Sequence, residues 1–204
     1  MKNKIIAVIG AGGKTTLIHR LAEEYRRKGA SVLVSTTTHM LVEPDTDLSC
    51  DSFAVMEKIK KTGYCMAGAV CPENSAKMQS LPEQMLHDLM KQVDYALIEA
   101  DGAKHYALKY PSEQEPVIPM GTTDVILVLG SWDLGKPCKD VVFRFEHMTS
   151  ALGISGDMKA DKQMLQWIWQ AYEEKLKNMD YQGHFHVLLS EKTDQGLMFH
   201  TLEE

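Results

Sequence analysis

The sequence predicts an α/β fold in which helices cover both faces of a mostly parallel sheet, in three layers. Short, continuously apolar runs alternate along the chain with stretches whose apolar residues recur at helical spacing. Strands that alternate with helices form βαβ units with parallel strands. The 204 residues suffice for one sizeable core, and no repeat or linker interrupts them. We therefore expect a single domain over residues 1–204.

Each element follows from its local pattern. Apolar runs predict strands at Ile5–Ile9, Ser31–Ser35, Phe53–Val55, Tyr95–Ala100, Asp124–Leu129 and His186–Leu189, with an extended stretch at Tyr64–Cys71. Helical spacing predicts helices at Thr15–Lys28, Met56–Lys61, Pro82–Gln92 and Asp161–Met179. Gly29 follows the first helix, as is common at C-termini, and proline is common where helices begin.

A glycine-rich segment, GAGGKTT at residues 10–16, joins the first strand to the first helix. Glycines permit positive φ, and amides at a helix N-terminus attract anions. Lys14 can reach terminal phosphates, the Thr15 hydroxyl can ligate Mg²⁺, and Thr16 can contact the first phosphate. The pattern G-x-x-G-K-T-T is shorter than the common phosphate loop and resembles the ATP loop of Mur-type ligases. We therefore expect a P-loop NTPase-like fold that binds nucleotide through Gly10, Ala11, Gly12, Gly13, Lys14, Thr15 and Thr16. An ordinary glycine-rich turn is the alternative.

The strand YALIE ends in Glu99, and Asp101 follows two residues later. In P-loop proteins a carboxylate at such a strand end reaches Mg²⁺ directly or through water. We expect Thr15 and Asp101 to hold Mg²⁺ and Glu99 to position water, so that Lys14, Glu99 and Asp101 are the catalytic residues. A plain turn at Asp101-Gly102 is the alternative.

Polar residues also follow two other predicted strands. Thr36, Thr37, Thr38 and His39 follow the second strand, and Gly130, Ser131 and Asp133 follow the run DVILVL. Ligands of doubly wound sheets bind at the carboxyl ends of the strands. We expect the three threonines to contact the nucleotide, with turn formation as the alternative. His39 is either a base or ligand, or an exposed loop histidine.

Composition restricts the partners. The net charge of −6 argues against general attraction to nucleic acid or to anionic membranes, and no apolar stretch approaches the roughly 20 residues that span a bilayer. The cysteines Cys50, Cys65, Cys71 and Cys138 form no CxxC pair, and no histidine cluster completes a zinc site. We expect reduced thiols and a cytoplasmic protein.

Several segments together resemble the YqeC-type family, whose members are described as accessory proteins of selenium-dependent molybdenum hydroxylases. GAGGKTT, STTTHM, IEADGAKHYALKYP and EPVIP carry the resemblance, which covers about residues 4–160. The resemblance implies a nucleotide-dependent role in maturing a molybdenum enzyme or its cofactor. It places motif residues at Lys14, Thr15, Glu99, Asp101, Lys104, Lys109 and Glu115. Lys104 and Lys109 would contact phosphates or an anionic pterin; the alternative is that they are solvated loop lysines.

The C-terminal part is less informative. VVFRFEHMTSALGI, with Arg144 and Glu146, resembles a family segment weakly. SEKTD follows the last predicted strand, and its Lys192 and Asp194 are similar to a guanine-reading element, although Glu191 stands where asparagine belongs. A chance pattern in a charged loop is the favoured interpretation.

Three functions remain open. The first is a Mg²⁺-dependent NTPase or phosphoryl-transfer enzyme that uses ATP or GTP and serves a molybdenum hydroxylase or its cofactor. The second is a nucleotide-dependent switch or chaperone with little hydrolysis. The third is a Mur-like ligase or small-molecule kinase.

Overall fold

The computed structural model describes residues 3–202, in which twelve strands and six helices form. The strands are β1 (Lys4–Gly10), β2 (Val32–Thr36), β3 (His39–Leu41), β4 (Tyr64–Met66), β5 (Ala69–Val70), β6 (Lys77–Gln79), β7 (Tyr95–Glu99), β8 (Leu108–Lys109), β9 (Asp124–Gly130), β10 (Val142–Phe143), β11 (His184–Thr193) and β12 (Gly196–Thr201). The helices are α1 (Lys14–Arg27), α2 (Ser52–Thr62), α3 (Glu83–Lys91), α4 (Cys138–Val141), α5 (Phe145–Leu152) and α6 (Lys162–Asn178).

The largest sheet has seven strands in the order β12-β11-β9-β1-β7-β2-β4. β7 pairs in parallel with both β1 and β2, and β2 pairs in parallel with β4. The hairpin β11–β12 is antiparallel. The predicted α/β class with a mostly parallel sheet is therefore confirmed. Two smaller sheets, β3-β6-β5 and β10-β8, were not predicted.

Contacts within the chain group into two compact units. The first comprises residues 3–8, 15–101 and 117–124, and the second comprises residues 9–14, 102–116 and 125–202. The boundary crosses the chain between Val8 and Ile9 of β1 and again between Lys14 and Thr15 in the glycine-rich segment, so that Thr15 belongs to the first unit and Lys14 to the second. The expectation of a single domain stays a prediction.

Helices cover both faces of the sheet in the first unit. Alternate strand residues Ala96 and Ile98 of β7 are buried in a core to which α2 and α3 contribute Val55, Ile59, Leu86, Leu89 and Met90. Tyr95 points to the opposite face, because side chains alternate along a strand. There its ring stacks on Tyr25 of α1, with ring centroids 3.7 Å apart. This arrangement agrees with the three layers expected from the sequence.

Asp94 joins the starts of two strands in the first unit. Its carboxylate accepts hydrogen bonds from the Ser31 amide at 2.9 Å and from the Ser31 hydroxyl at 2.8 Å. These two hydrogen bonds lower the pKa of the Asp94 carboxyl below its ordinary value. The Asp94 amide in turn donates to the Ser31 hydroxyl at 2.9 Å. The reciprocal bonds hold the residues that precede β2 and β7 together.

The predicted short strand Phe53–Val55 is wrong, because α2 begins earlier than its apolar pattern suggests. Asp51 caps α2, and its carboxylate accepts hydrogen bonds from the amides of Phe53 and Ala54 at 2.9 and 3.3 Å. An aspartate that satisfies these orphan amides favours a helix over a strand. Phe53 is 71% exposed, so its apolar character did not signal burial.

The end of the second unit also differs from expectation. β11 continues through Thr193 and pairs with β12, in register from Leu188 opposite Thr201 to Thr193 opposite Gly196. Lys192 is therefore a strand residue, and its ammonium lies 4.6 Å from the centre of the Trp132 ring. The similarity of SEKTD to a guanine-reading loop does not hold, because the segment forms a hairpin.

The long C-terminal helix agrees closely with its prediction. Asp161 caps α6 by accepting a hydrogen bond from the Met164 amide at 3.0 Å, and Met179 is the C-cap. Four of the five residues predicted on its apolar side are buried: Leu165, Ile168, Tyr172 and Leu176. The fifth, Met179, is 43% exposed, because it lies beyond the last helical turn.

Candidate functional site

The glycine-rich segment forms a tight turn between β1 and α1. Gly10 and Gly12 have φ values of +82° and +89°, which disfavour other residues. A Cβ atom on Gly10 would lie 2.4 Å from the carbonyl oxygen of Val128, and one on Gly12 would lie 2.5 Å from the nitrogen of Gly130. Both glycines therefore serve a close approach to β9 as well as an unusual backbone conformation.

The backbone amides of this turn differ in whether they donate a hydrogen bond to another protein group. The Ala11 amide donates to the carbonyl of Val128 at 3.0 Å and is thus committed to the protein. Within residues 3–202, the amides of Gly12 and Gly13 donate to no protein acceptor. The Ser190 hydroxyl donates to the Gly12 carbonyl and helps to hold the turn. The sequence offered no signal for Ser190 beyond a hydroxyl directly after an apolar run.

Helix α1 begins at Lys14, directly after the two open amides. The first-turn amides of a helix have no acceptor within it, and the helix dipole adds partial positive charge there. Lys14 is itself buried, with an exposed fraction of 5%. The turn thus combines amide donors, a helix N-terminus and a lysine, all of which attract an anion.

Thr15, the second residue of α1, contacts the acidic strand end within the first unit. Its hydroxyl donates to a carboxylate oxygen of Glu99 at 2.7 Å. Glu99 is the last residue of β7 and is paired with Val8 on one side and Thr36 on the other. Its exposed fraction is 6%, and that of Asp101 is 0%. The expectation that Thr15 and Asp101 together hold Mg²⁺ stays a prediction, and the hydrogen bond from Thr15 places its hydroxyl at Glu99, the residue expected to position water.

The threonines after β2 hold the backbone of Glu99. The buried Thr36 hydroxyl donates to the Glu99 carbonyl at 2.8 Å, and the Thr37 amide donates to the same carbonyl at 3.1 Å. The Thr38 amide donates to the Thr36 hydroxyl at 3.0 Å. The Thr37 hydroxyl donates to the Val117 carbonyl at 2.7 Å. Thr36 therefore fastens the acidic strand end, whereas Thr37 and Thr38 remain partly exposed.

The lysines that the family resemblance singled out occupy different environments in the second unit. Lys109 is fully buried and donates to Glu115 and to the Gly102 carbonyl, each at 2.6 Å. Arg144 pairs with the same Glu115 at 2.9 Å. Lys104 is exposed, and its ammonium lies 5.3 Å from the centre of the Phe143 ring. Lys109 and Arg144 thus brace the loop that carries Glu115, and Lys104 faces solvent.

The residues after β9 make mainly internal contacts in the second unit. The Gly130 amide donates to the Ala107 carbonyl at 2.9 Å, and the Ser131 hydroxyl donates to the Ser190 carbonyl at 3.1 Å. His39 begins β3 and is exposed. Its side chain lies with those of Cys71 and Glu73, which the sequence did not associate with it.

Comparisons with known proteins agree with the resemblance seen in the sequence. The profile of the family described as YqeC protein matches residues 6–146. An Escherichia coli (strain K12) protein, described as "Uncharacterized protein YqeC", is 34% identical over 161 residues. This match covers 75% of the present chain and 62% of the relative, so the chain spans less than two thirds of that protein. A comparison with solved structures gave no match. Among the helices within residues 3–202, none is long and apolar enough to cross a membrane.

Proposed function

The chain belongs to the YqeC family, and from its glycine-rich turn and acidic strand end we propose that it is a Mg²⁺-dependent nucleotide-binding protein that hydrolyses nucleoside triphosphates. The hydrogen bond from Thr15 to Glu99 at 2.7 Å carries this proposal. In P-loop NTPases, a threonine in the first helical turn after Gly-Lys and a carboxylate at the end of a neighbouring strand lie together beside the Mg²⁺ site.

The donor atoms suit Mg²⁺ bound with a nucleotide. The Thr15 hydroxyl and the carboxylates of Glu99 and Asp101 are hard oxygen donors, and Mg²⁺ uses one or two such groups beside phosphates and water. Bound there, the ion would neutralise negative charge on the phosphate oxygens. Thr15 and Asp101 are the proposed ligands, as expected from the sequence.

The turn would bind the phosphates. The open amides of Gly12 and Gly13 and the Lys14 ammonium are positive groups that stabilise charge on phosphate oxygens during transfer. Glu99 would orient water for attack, and Thr36 would hold Glu99 in place through its carbonyl. The Ala11 amide is less suited to phosphate, because it already donates to Val128.

The biological role that we propose is that of an accessory factor in the maturation of a molybdenum hydroxylase or its cofactor. The family resemblance supports this role. The exposed Lys104 is available for an anionic ligand such as a phosphate or a pterin. Lys109 would act indirectly, by holding the loop between Gly102 and Glu115.

Calorimetric titration with ATP and GTP, each with and without Mg²⁺, tests nucleotide binding. We expect one site, dependence on Mg²⁺, and at least about tenfold weaker binding after Lys14→Ala, since hydrogen bonds to charged groups contribute about 1.5–3 kcal/mol. Lys28→Ala is the matched control, because Lys28 lies just after α1, is exposed and pairs only with the surface residue Glu24 among the residues described. Absence of heat with both nucleotides, or equal binding by the Lys14→Ala variant and the wild type, would refute the proposal.

A nucleotide-dependent switch is the second candidate. The hydrogen bonds from Thr36 and Thr37 to the Glu99 carbonyl favour it, because they link a partly exposed segment to the acidic strand end. Single-turnover hydrolysis separates the two functions. Phosphate release that is lost in Glu99→Gln supports an NTPase, whereas tight binding without release supports a switch. Release that requires an added acceptor would support the ligase or kinase expected as the third function.

A further inference from the structure

Three potential metal ligands from two segments of the first unit meet beside the small sheet β3-β6-β5. Ligand atoms of His39, Cys71 and Glu73 all lie within 4.8 Å of one another. The small sheet brings the two segments near each other, because His39 of β3 and Ala69 of β5 both pair with Gln79 of β6. β3 and β5 therefore flank the same strand, and Cys71 directly follows the last residue of β5. Sequence spacing hid this cluster, because 31 residues separate His39 from Cys71.

A short turn presents two of the three ligands. The Asn74 amide donates to the Cys71 carbonyl at 3.2 Å, which closes a four-residue turn with Pro72 at its second position, where proline is favoured. The Asn74 side chain accepts from the Ala76 amide at 3.0 Å, and its carbonyl accepts from the Lys77 amide at 2.9 Å. The turn is thus tied to the start of β6, and Cys71 and Glu73 are held in fixed relation.

The three side chains are not committed elsewhere in the described part of the chain. Within residues 3–202, none of them takes part in a side-chain hydrogen bond or an ion pair of this structure. Cys71 is 3% exposed, whereas His39 and Glu73 are exposed. A buried cysteine is a poor nucleophile toward an external substrate but an ordinary metal ligand. The cluster therefore suits a metal ion better than covalent catalysis by a Cys–His pair.

We propose that His39, Cys71 and Glu73 bind a divalent transition-metal ion of the zinc type. Zn²⁺ accepts thiolate, imidazole and carboxylate ligands at about 2.0–2.3 Å, so that the ligand atoms of a tetrahedral site with one sulfur lie roughly 3.3–3.6 Å apart. Ligand atoms within 4.8 Å of one another reach these separations if side-chain rotation brings each pair closer by at most about 1.5 Å. A thiolate ligand disfavours Mg²⁺ and Ca²⁺, which prefer oxygen.

The proposed site has three protein ligands and therefore one open position. Structural zinc sites have four protein ligands, whereas sites that bind a substrate or water have three. The exposure of His39 and Glu73 places the open position toward solvent. The metal would thus accept a further donor atom, such as a thiolate or water, from outside the chain. The proposal concerns a site separate from the proposed nucleotide site and does not depend on nucleotide binding.

Titration of the full, reduced and chelator-treated chain with Co²⁺ tests the site. We expect one Co²⁺ per chain, with an absorption band for charge transfer from thiolate to Co²⁺ and visible bands of tetrahedral intensity. Zn²⁺ should abolish both signals at one equivalent. Cys71→Ser should remove the charge-transfer band, and Cys50→Ser, which changes an exposed cysteine outside the cluster, should leave it unchanged.

Competition with a fluorescent zinc chelator gives the affinity. Removal of a ligand should weaken Zn²⁺ binding at least about tenfold, since loss of even an outer-shell partner costs 10- to 100-fold. Because Cys71 is buried, Glu73→Gln and His39→Gln, both at exposed positions, serve as variants that keep the fold. Wild-type affinity in both of these variants, a signal that follows Cys50 and not Cys71, or no Zn²⁺ binding by the wild type would overturn the proposal.

Discussion

Replacement of Thr15 by valine should destabilise the protein and impair Mg²⁺-nucleotide binding together. Valine has nearly the same shape as threonine but lacks the hydroxyl that donates to Glu99 at 2.7 Å. Since Glu99 is only 6% exposed, water cannot fully replace the lost donor. The variant thus removes one hydrogen bond to a nearly buried carboxylate with little change in packing.

The size of the effect follows from the charge of the acceptor. A hydrogen bond to a charged group contributes about 1.5–3 kcal/mol to the free energy of unfolding, and a neutral one about 0.5–1.5 kcal/mol. Thr15→Val should therefore cost about 2 kcal/mol in the wild type and about 1 kcal/mol in the Glu99→Gln background. The double-mutant cycle should give a coupling free energy of about 1 kcal/mol between the two side chains.

Urea denaturation of the four proteins measures this coupling, and calorimetry measures Mg²⁺-nucleotide binding by the same samples. Thr15→Ser keeps the hydroxyl and is the matched control, which should retain both stability and binding. If Thr15→Val is as stable as the wild type and the cycle shows no coupling, the assigned hydrogen bond is wrong. Unchanged Mg²⁺-nucleotide binding in Thr15→Val would contradict its proposed role at the metal.

Three further predictions concern stability and thiol reactivity. Asp94→Asn should lower the free energy of unfolding by about 1 kcal/mol at neutral pH. Because folding lowers the pKa of the Asp94 carboxyl, this difference should persist as pH falls to about its ordinary pKa of 3.8 and disappear as pH falls through its pKa in the folded protein. Urea titrations at several pH values measure this dependence. In the native protein, a thiol reagent at mildly alkaline pH should modify the exposed Cys50 rapidly and Cys65 only upon unfolding. The reason is that burial raises the pKa of the Cys65 thiol to about 11. Equal rates of modification of the two cysteines, followed by mass spectrometry, would contradict this prediction. Gly12→Ala should lower the free energy of unfolding by at least about 2 kcal/mol more than Gly29→Ala. Both glycines have positive φ, but only a Cβ on residue 12 would lie 2.5 Å from a backbone nitrogen. Equal urea midpoints of the two variants would show that the turn between β1 and α1 can change conformation to accommodate the Cβ.

Patterns confined to a few neighbouring residues predicted much of the fold. The apolar runs of β1, β7 and β9 are detectable because strands buried on both faces contain almost no polar residues. Helix α6 was detectable because its apolar residues recur at helical spacing over many turns. Helix α2 was misjudged at its start, where one capping carboxylate outweighed a short apolar run.

The candidate site was predictable from the sequence only where its residues are contiguous in the chain. Residues of the turn between β1 and α1 are contiguous, so the motif at Gly10–Thr16 could be recognised directly. The contact of Thr15 with Glu99 depends on the pairing of β1 with β7, which lie about 90 residues apart in sequence order and become neighbours only in the sheet. The hydrogen bond between Thr15 and Glu99 therefore required three-dimensional structure.

The sequence by itself determined most strands of the main sheet, the longer helices, and where a glycine turn precedes a lysine and threonine, because these properties depend on local backbone preferences and on the periodicity of burial. Only the tertiary structure decided which distant side chains meet: Thr15 with Glu99, Lys109 with Glu115, and His39 with Cys71 and Glu73. Such contacts depend on strand order and register, which place residues far apart in the chain within a few ångströms of each other and leave no local periodic signal.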